Sequence, residues 1–258
     1  MKALDLNKEI GVLRRYRNPP VVEALCEIFF LDSAWDATVP GIFYDRIKDR
    51  FPIKSELKQM DVQIQIATGE AATRMVPAEP RARLASQDGS KLVQVGRDLV
   101  VVNHLRPYPQ FDSWRPLVIS MVTLYGELTK PSAIDRIGVR YINRIEVPEE
   151  GHDMATYFNL YPEVPAELGA AHGNFFMRLQ VPAMHPDHSL FVTFGSAPSE
   201  AQRVSAYLLD LYDVVSVGKL IDLTLFSKRL DEAHANVEKA FESIITETSR
   251  ALFQEVKT

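Results

Sequence analysis

The chain has 258 residues, 46% of them apolar and 24% charged, which is enough apolar matter for one large core and excludes a disordered or fibrous class. A formal charge of −5 withholds the overall positive potential of polyanion binders, and a single cysteine, Cys26, excludes an internal disulfide framework. The opening residues lack the apolar run of a signal peptide. The most apolar stretches, 21–31 and 117–124, are about half as long as a bilayer-spanning helix needs, so the expectation is a cytoplasmic protein without membrane spans.

Residues 1–18 are polar with a basic end (Arg14, Arg15, Arg17) and are expected to extend from one domain, 19–258, made of two halves, 19–131 and 132–258. Asn18-Pro19-Pro20 forbids helix, and period-two alternation predicts a strand over Val21–Leu31. Val22, Ala24, Cys26, Ile28 and Phe30 share one face of it, and Glu23 and Glu27 lie on a half-wet opposite face. Thr38 and Pro40 open a first helix, with Ile42, Phe43, Ile47 and Phe51 at helical spacing before Pro52. From Asp61, Val62, Ile64 and Ile66 alternate with glutamines as in a strand with one buried face. Residues 82–87, 92–95 and 99–105 then read as a meander through the Asp88-Gly89 and Gly96-Arg97-Asp98 turns. Ser113 as N-cap, Pro116 in the first turn and a stripe of Leu117, Met121, Leu124 and Leu128 predict a second helix.

The second half opens with a long strand over 134–147, whose Ile137, Val139, Tyr141, Ile145 and Val147 form an apolar face broken only by Asn143. Its other face carries Arg136, Arg140 and Arg144. A Pro- and Ala-rich excursion, 148–173, leads to strands at 175–181, 190–194 and 204–215. A closing helix over 231–255 follows, with Ala233, Val237, Phe241, Ile244, Thr248 and Leu252 on one stripe. The predicted fold class is α+β: a large twisted antiparallel sheet with helices on one face and two halves of similar pattern. By analogy this is the saddle of the TATA-box-binding fold, and the analogy carries no function.

Three stretches carry a family resemblance: 18–24 (NPPVVEA), 94–103 (QVGRDLVVVN) followed by Tyr108-Pro109, and 136–145 (RIGVRYINRI). With them the chain resembles a family of bacterial proteins of about its own length, sporadically distributed and without an assigned activity. The resemblance implies no mechanism. Its scattered occurrence suits mobile cargo of the phage-defence or toxin-neutralising kind.

Arg136, Arg140 and Arg144 recur every fourth residue and share one strand face, about 13 Å apart at about 3.3 Å per residue. They are the leading ligand-binding candidates, with Asn143 and Tyr141 beside them. Guanidinium groups at that spacing suit an extended anion. The competing reading is internal pairing, with Glu23 and Glu27 as ion-pair partners on a neighbouring strand, and it is favoured because half-buried arginines in an acidic protein need partners. His185-Pro186-Asp187-His188 supplies too few ligands for a metal and reads as a polar hairpin tip. Asp210 and Asp213, an odd number of residues apart, fall on opposite faces of a strand and cannot act as a carboxylate pair. Asn103 reads as satisfying backbone groups at a strand-to-helix turn, and Cys26 as a buried, inert thiol. No nucleophile elbow, Walker loop, dinucleotide fingerprint or zincin motif occurs, so neither catalytic residues nor a cofactor nor a metal is assigned. The expectation is a non-catalytic binding or assembly protein with a protein partner or a second copy of itself. Nucleic-acid or nucleotide binding through the arginine strand is the alternative, and a hydrolase of unfamiliar type, using Glu23, Glu27 or Asp210, the second.

Overall fold

The computed structural model describes residues 14–57, 60–67, 70–77, 80–148, 153–168, 173–182, 186–199, 201–220 and 222–256. The elements of the first half are β1 (Val21–Leu31), α1 (Val39–Ile47), β2 (Ile53–Leu57), β3 (Met60–Ala67), β4 (Glu70–Pro77), β5 (Arg81–Ala85), β6 (Lys91–Gly96), β7 (Leu99–Leu105) and α2 (Phe111–Thr129). Those of the second are β8 (Ala133–Pro148), α3 (Met154–Tyr157), β9 (Phe176–Pro182), β10 (His188–Ala197), β11 (Val204–Leu220), α4 (Leu223–Ile244) and α5 (Glu247–Phe253).

Among the described residues nine strands form one antiparallel sheet in the order β2-β5-β6-β7-β1-β8-β11-β10-β9, and β3 and β4 pair in a separate ribbon. The predicted α+β class with a large antiparallel sheet is the observed one. The two opening strands, β1 and β8, lie side by side at its centre. Each pairs on its outer side with the last strand of its own meander, β1 with β7 and β8 with β11, so the halves mirror each other in topology without any residue-level repeat. Alternation does the rest. Ala24, Cys26, Ile28 and Phe30 of β1 and Ile137, Val139, Ile145 and Val147 of β8 join Trp114, Met121, Phe226 and Val237 of the helices in one apolar core. On the opposite face Leu25, Leu99 and Val101 cluster only with Phe29, without helical residues.

Several predicted elements shift. β2 and β4 were not foreseen; β2 is almost wholly exposed and lacks a buried face to read. The burial of Val62, Ile64 and Ile66 on β3 lies outside the described residues. α2 starts two residues before Ser113, because Gln110 at φ 83° turns the chain and its carbonyl accepts from both Ser113 and Trp114. Its buried stripe is Leu117, Val118, Met121, Val122 and Tyr125, with Leu124 and Leu128 only partly covered.

The closing helix is two helices. α4 begins at Leu223, capped by the Asp222 side chain, and ends at Ile244 with Ile245 as its C-cap, after which Thr246 caps α5. The break comes from the excursion: the Asn159 side chain donates to the Ser243 and Ile245 carbonyls, and Thr246 N donates to Tyr157 O at the end of α3, so groups distant in sequence take over the helix ladder. Residues 14–18 dock on the end of α5 through a Tyr16–Glu255 bridge and backbone bonds from Arg17 and Asn18 to Gln254 and Phe253.

Candidate functional site

Among the described residues no helix packs on the second face of the sheet, and this helix-free face carries the arginine stripe. Facing positions across four strands are occupied by Phe191 (β10), Tyr212 (β11), Arg140 (β8) and Leu25 (β1). The neighbouring row holds Val214, Gly138 and Glu27. Guanidinium groups lie over aromatic rings in three places: Arg136 at 4.0 Å from the Phe29 centroid, Arg178 at 5.3 Å from Phe191 and Arg140 at 5.9 Å from Tyr212.

Internal pairing is what Arg140 and Arg144 show, with partners other than those expected. Arg140 makes a bidentate pair with Asp210, Nε to Oδ1 at 2.8 Å and Nη2 to Oδ2 at 2.6 Å, and this bond, ahead of the cost of burial, raises its pKa. Arg144 donates from Nε to Glu146 at 3.0 Å and from Nη2 to the Pro198 carbonyl at 2.7 Å. Arg136 relies on Phe29, its buried Nε making no hydrogen bond. Glu23 and Glu27 are not their ion-pair partners, because the register sets Glu23 opposite Ile142 and Glu27 opposite Gly138. Glu23 instead accepts from Asn103 Nδ2 at 2.6 Å, and Glu27 from Tyr212 Oη at 2.8 Å. Glu27 still adds to the field that keeps Arg140 charged.

Gly138 is what lets Tyr212 reach across. A Cβ there would stand 2.5 Å from the Tyr212 hydroxyl and 2.6 Å from Cε2, so the ring lies directly on the glycine. The phenol, half-buried and beside Glu27, is held well above its usual pKa by desolvation first and then by Glu27.

The remaining predicted residues are structural. Asn143 is buried and donates to the Leu209 carbonyl at 3.1 Å. Asn103 is buried inside β7, serving Glu23 and Gln94 and not a turn backbone. His188 is not at a hairpin tip: as the first residue of β10 its fully buried ring meets Asp213 Oδ2 at 2.6 Å, beneath Asn236. Asp210 and Asp213 do face opposite ways, Asp210 to Arg140 and Asp213 to the helices. Burial drives the Cys26 thiol pKa up.

Tyr141 belongs to a chain of hydrogen bonds under the helices that its isolated position in sequence gave no means to foresee. Tyr108 Oη is 2.7 Å from Tyr141 Oη, which is 3.1 Å from His234 Nδ1, and His234 Nε2 is 3.7 Å from Glu238. Burial lowers the His234 pKa to about 4, so the ring is neutral at pH 7 and donates from one nitrogen only. The consistent order is Tyr108 donating to Tyr141, Tyr141 to His234 Nδ1, and Nε2–H directed to Glu238. Burial first, then Glu242 and Asp112, raise the Glu238 pKa to about 7.

Tyr108 also lines a cleft of about 640 Å³ at the start of β1. Arg17, Arg106 and Arg144 enter it from three separate segments, with Glu146 as the one acidic residue on its wall. All three stretches that carry the family resemblance meet near this cleft, through Asn18 to Val21, Tyr108 and Arg144.

No helix of the described residues is long and apolar enough to cross a membrane. No family profile matches the chain, and no curated protein matches it.

Proposed function

We propose that the chain is a non-catalytic assembly protein that pairs with a second copy of itself through the helix-free face of the sheet. The observation that carries this reading is the charge layout at the centre of that face: Arg136, Arg140 and Arg144 on β8 run alongside Glu23 and Glu27 on β1. A two-fold axis parallel to these strands sets the arginine stripe of one copy over the glutamate stripe of the other, which is the self-complementarity an isologous interface needs. The guanidinium groups are held in place by Asp210, Glu146 and Phe29, and Arg140 keeps Nη1 free to reach outward. Phe176 and Leu208, 75% and 39% exposed and both facing Gly195, add apolar surface at one side.

Sedimentation analysis should give a dimer that weakens with salt. Arg140→Glu and Glu27→Arg should each give monomers, and an equimolar mixture of the two should re-form dimers. A wild-type chain that is monomeric at every concentration and salt ends the proposal. The three guanidinium–aromatic pairs favour a second reading, single-stranded nucleic acid on the same face. Saturable binding of a labelled single-stranded oligonucleotide by a monomeric chain would replace the first reading with it.

A further inference from the structure

We infer that the cleft at the start of β1 is a binding site for a small organic phosphate of about mononucleotide size. It shares Arg144 with the end of the proposed assembly face, its other two arginines come from different segments, and the inference does not depend on that assembly.

The cleft's charge is its first argument. Its lining includes Arg17, Arg106 and Arg144 against the single acidic residue Glu146, an excess of two positive charges in a chain whose formal charge is −5. Among the described residues, neither the Arg17 nor the Arg106 side chain has a carboxylate partner, whereas Arg14, Arg115, Arg140 and Arg250 all do. Concentrating unneutralised guanidinium in one concavity costs folding energy through mutual repulsion and suits recognition of a multiply charged anion.

Preorganisation is the second. Arg106 is tethered by donation from Nε to the Val21 carbonyl at 3.4 Å and from Nη2 to the Pro20 carbonyl at 3.3 Å. Arg144 is tethered to Glu146 and the Pro198 carbonyl. Each keeps Nη1 uncommitted. The carbonyls that hold Arg106 belong to Pro20 and Val21, where two prolines stiffen the chain, so the charge sits on a rigid ledge and binding orders little.

Shape and wall chemistry set the ligand class. A volume of about 640 Å³ lies within the range of small-molecule sites, and far exceeds the needs of a bare phosphate. Tyr108, Pro107, Leu252 and Phe253 supply flat and apolar surface beside the arginines. The match is a phosphate group joined to a planar or apolar body, with the phosphate on the guanidinium groups and the body against the Tyr108 and Phe253 side.

Calorimetric titration of the full chain at low salt tests this with adenosine monophosphate as probe, and with inorganic phosphate and adenosine as its two parts. Saturable binding of the monophosphate, weaker binding of phosphate and none of adenosine is the expected result. Affinity should fall about tenfold in Arg17→Ala, whose side chain makes no hydrogen bond among the described residues and so leaves the fold alone, and at least as far in Arg106→Ala. Glu146→Gln should tighten binding. Absence of saturable binding by both phosphate-bearing probes overturns the inference, as does unchanged affinity in the Arg17→Ala variant. Arg140→Glu, which addresses the assembly face, should leave the titration unaltered, so the two proposals fail separately.

Discussion

Replacing Gly138 by alanine tests whether the helix-free face is built as described. The added methyl would meet the Tyr212 ring at 2.5–2.9 Å, nearer than any stable carbon contact, so the ring must swing off β8. It cannot do so freely, being bonded to Glu27 at 2.8 Å and flanked by Phe191 at 6.3 Å and Arg140. A hydrogen bond to a charged acceptor contributes about 1.5–3 kcal/mol, and aromatic contacts about 0.5–1.5 kcal/mol. Against this, alanine lowers the entropy of the unfolded chain, returning about 0.4–1 kcal/mol. The expected net loss is about 1–4 kcal/mol, read as a lower urea midpoint at constant slope. In a Tyr212→Ala background the clash is gone, and Gly138→Ala should then be neutral or stabilising. A Gly138→Ala protein within about 0.5 kcal/mol of the parent, or full additivity of the two changes, would refute the reasoning.

Three further outcomes follow from the buried groups. Asp210→Ala strips Arg140 of its bidentate partner and should cost about 1.5–3 kcal/mol in urea melts, with less than additive loss in Arg140→Ala/Asp210→Ala. Asp213→Ala leaves the fully buried His188 ring and Asn236 without their shared carboxylate, and should cost about 1–3 kcal/mol by the same assay. The third outcome concerns pH. Glu238 has its folded pKa raised from 4.5 to about 7, so its contribution is fully present below about 4.5 and is lost as pH rises through about 7. Glu238→Gln should therefore gain about 1–2 kcal/mol relative to the parent on moving from pH 5 to pH 8, after discounting for solvent screening. Equal pH profiles for the two proteins would contradict this.

Much of the architecture was legible because alternation is a local property. The faces of β1 and β8 follow from their own residues: Cys26 and Val139 could only be buried if Glu27 and Arg140 were to stay near water. The same rule placed Asp210 and Asp213 on opposite faces. Helix ends were less legible, since Gln110 and Ile245 stop or start helices through backbone geometry and distant carbonyl bonds.

Side-chain partnership was another matter. That Glu23 and Glu27 would lie beside the arginine strand could be read from periodicity, but their partners depend on register, and the pairing of β1 with β8 slips at both ends, between Val21 and Glu23 and between Phe29 and Phe30. The continuous register between the two slips sets Glu27 opposite a glycine, and Glu27 bonds to Tyr212, from a strand near the other end of the chain. The cleft is more remote still from local pattern: Arg17, Arg106 and Arg144 converge only after the sheet order is set. Periodicity and turn chemistry thus determined which residues form strands and which way they point, because each choice involves only neighbours. Which strand lies beside which, in what register, and therefore which charges meet, was decided by tertiary packing, where burial of the whole sheet face outweighs any single pair.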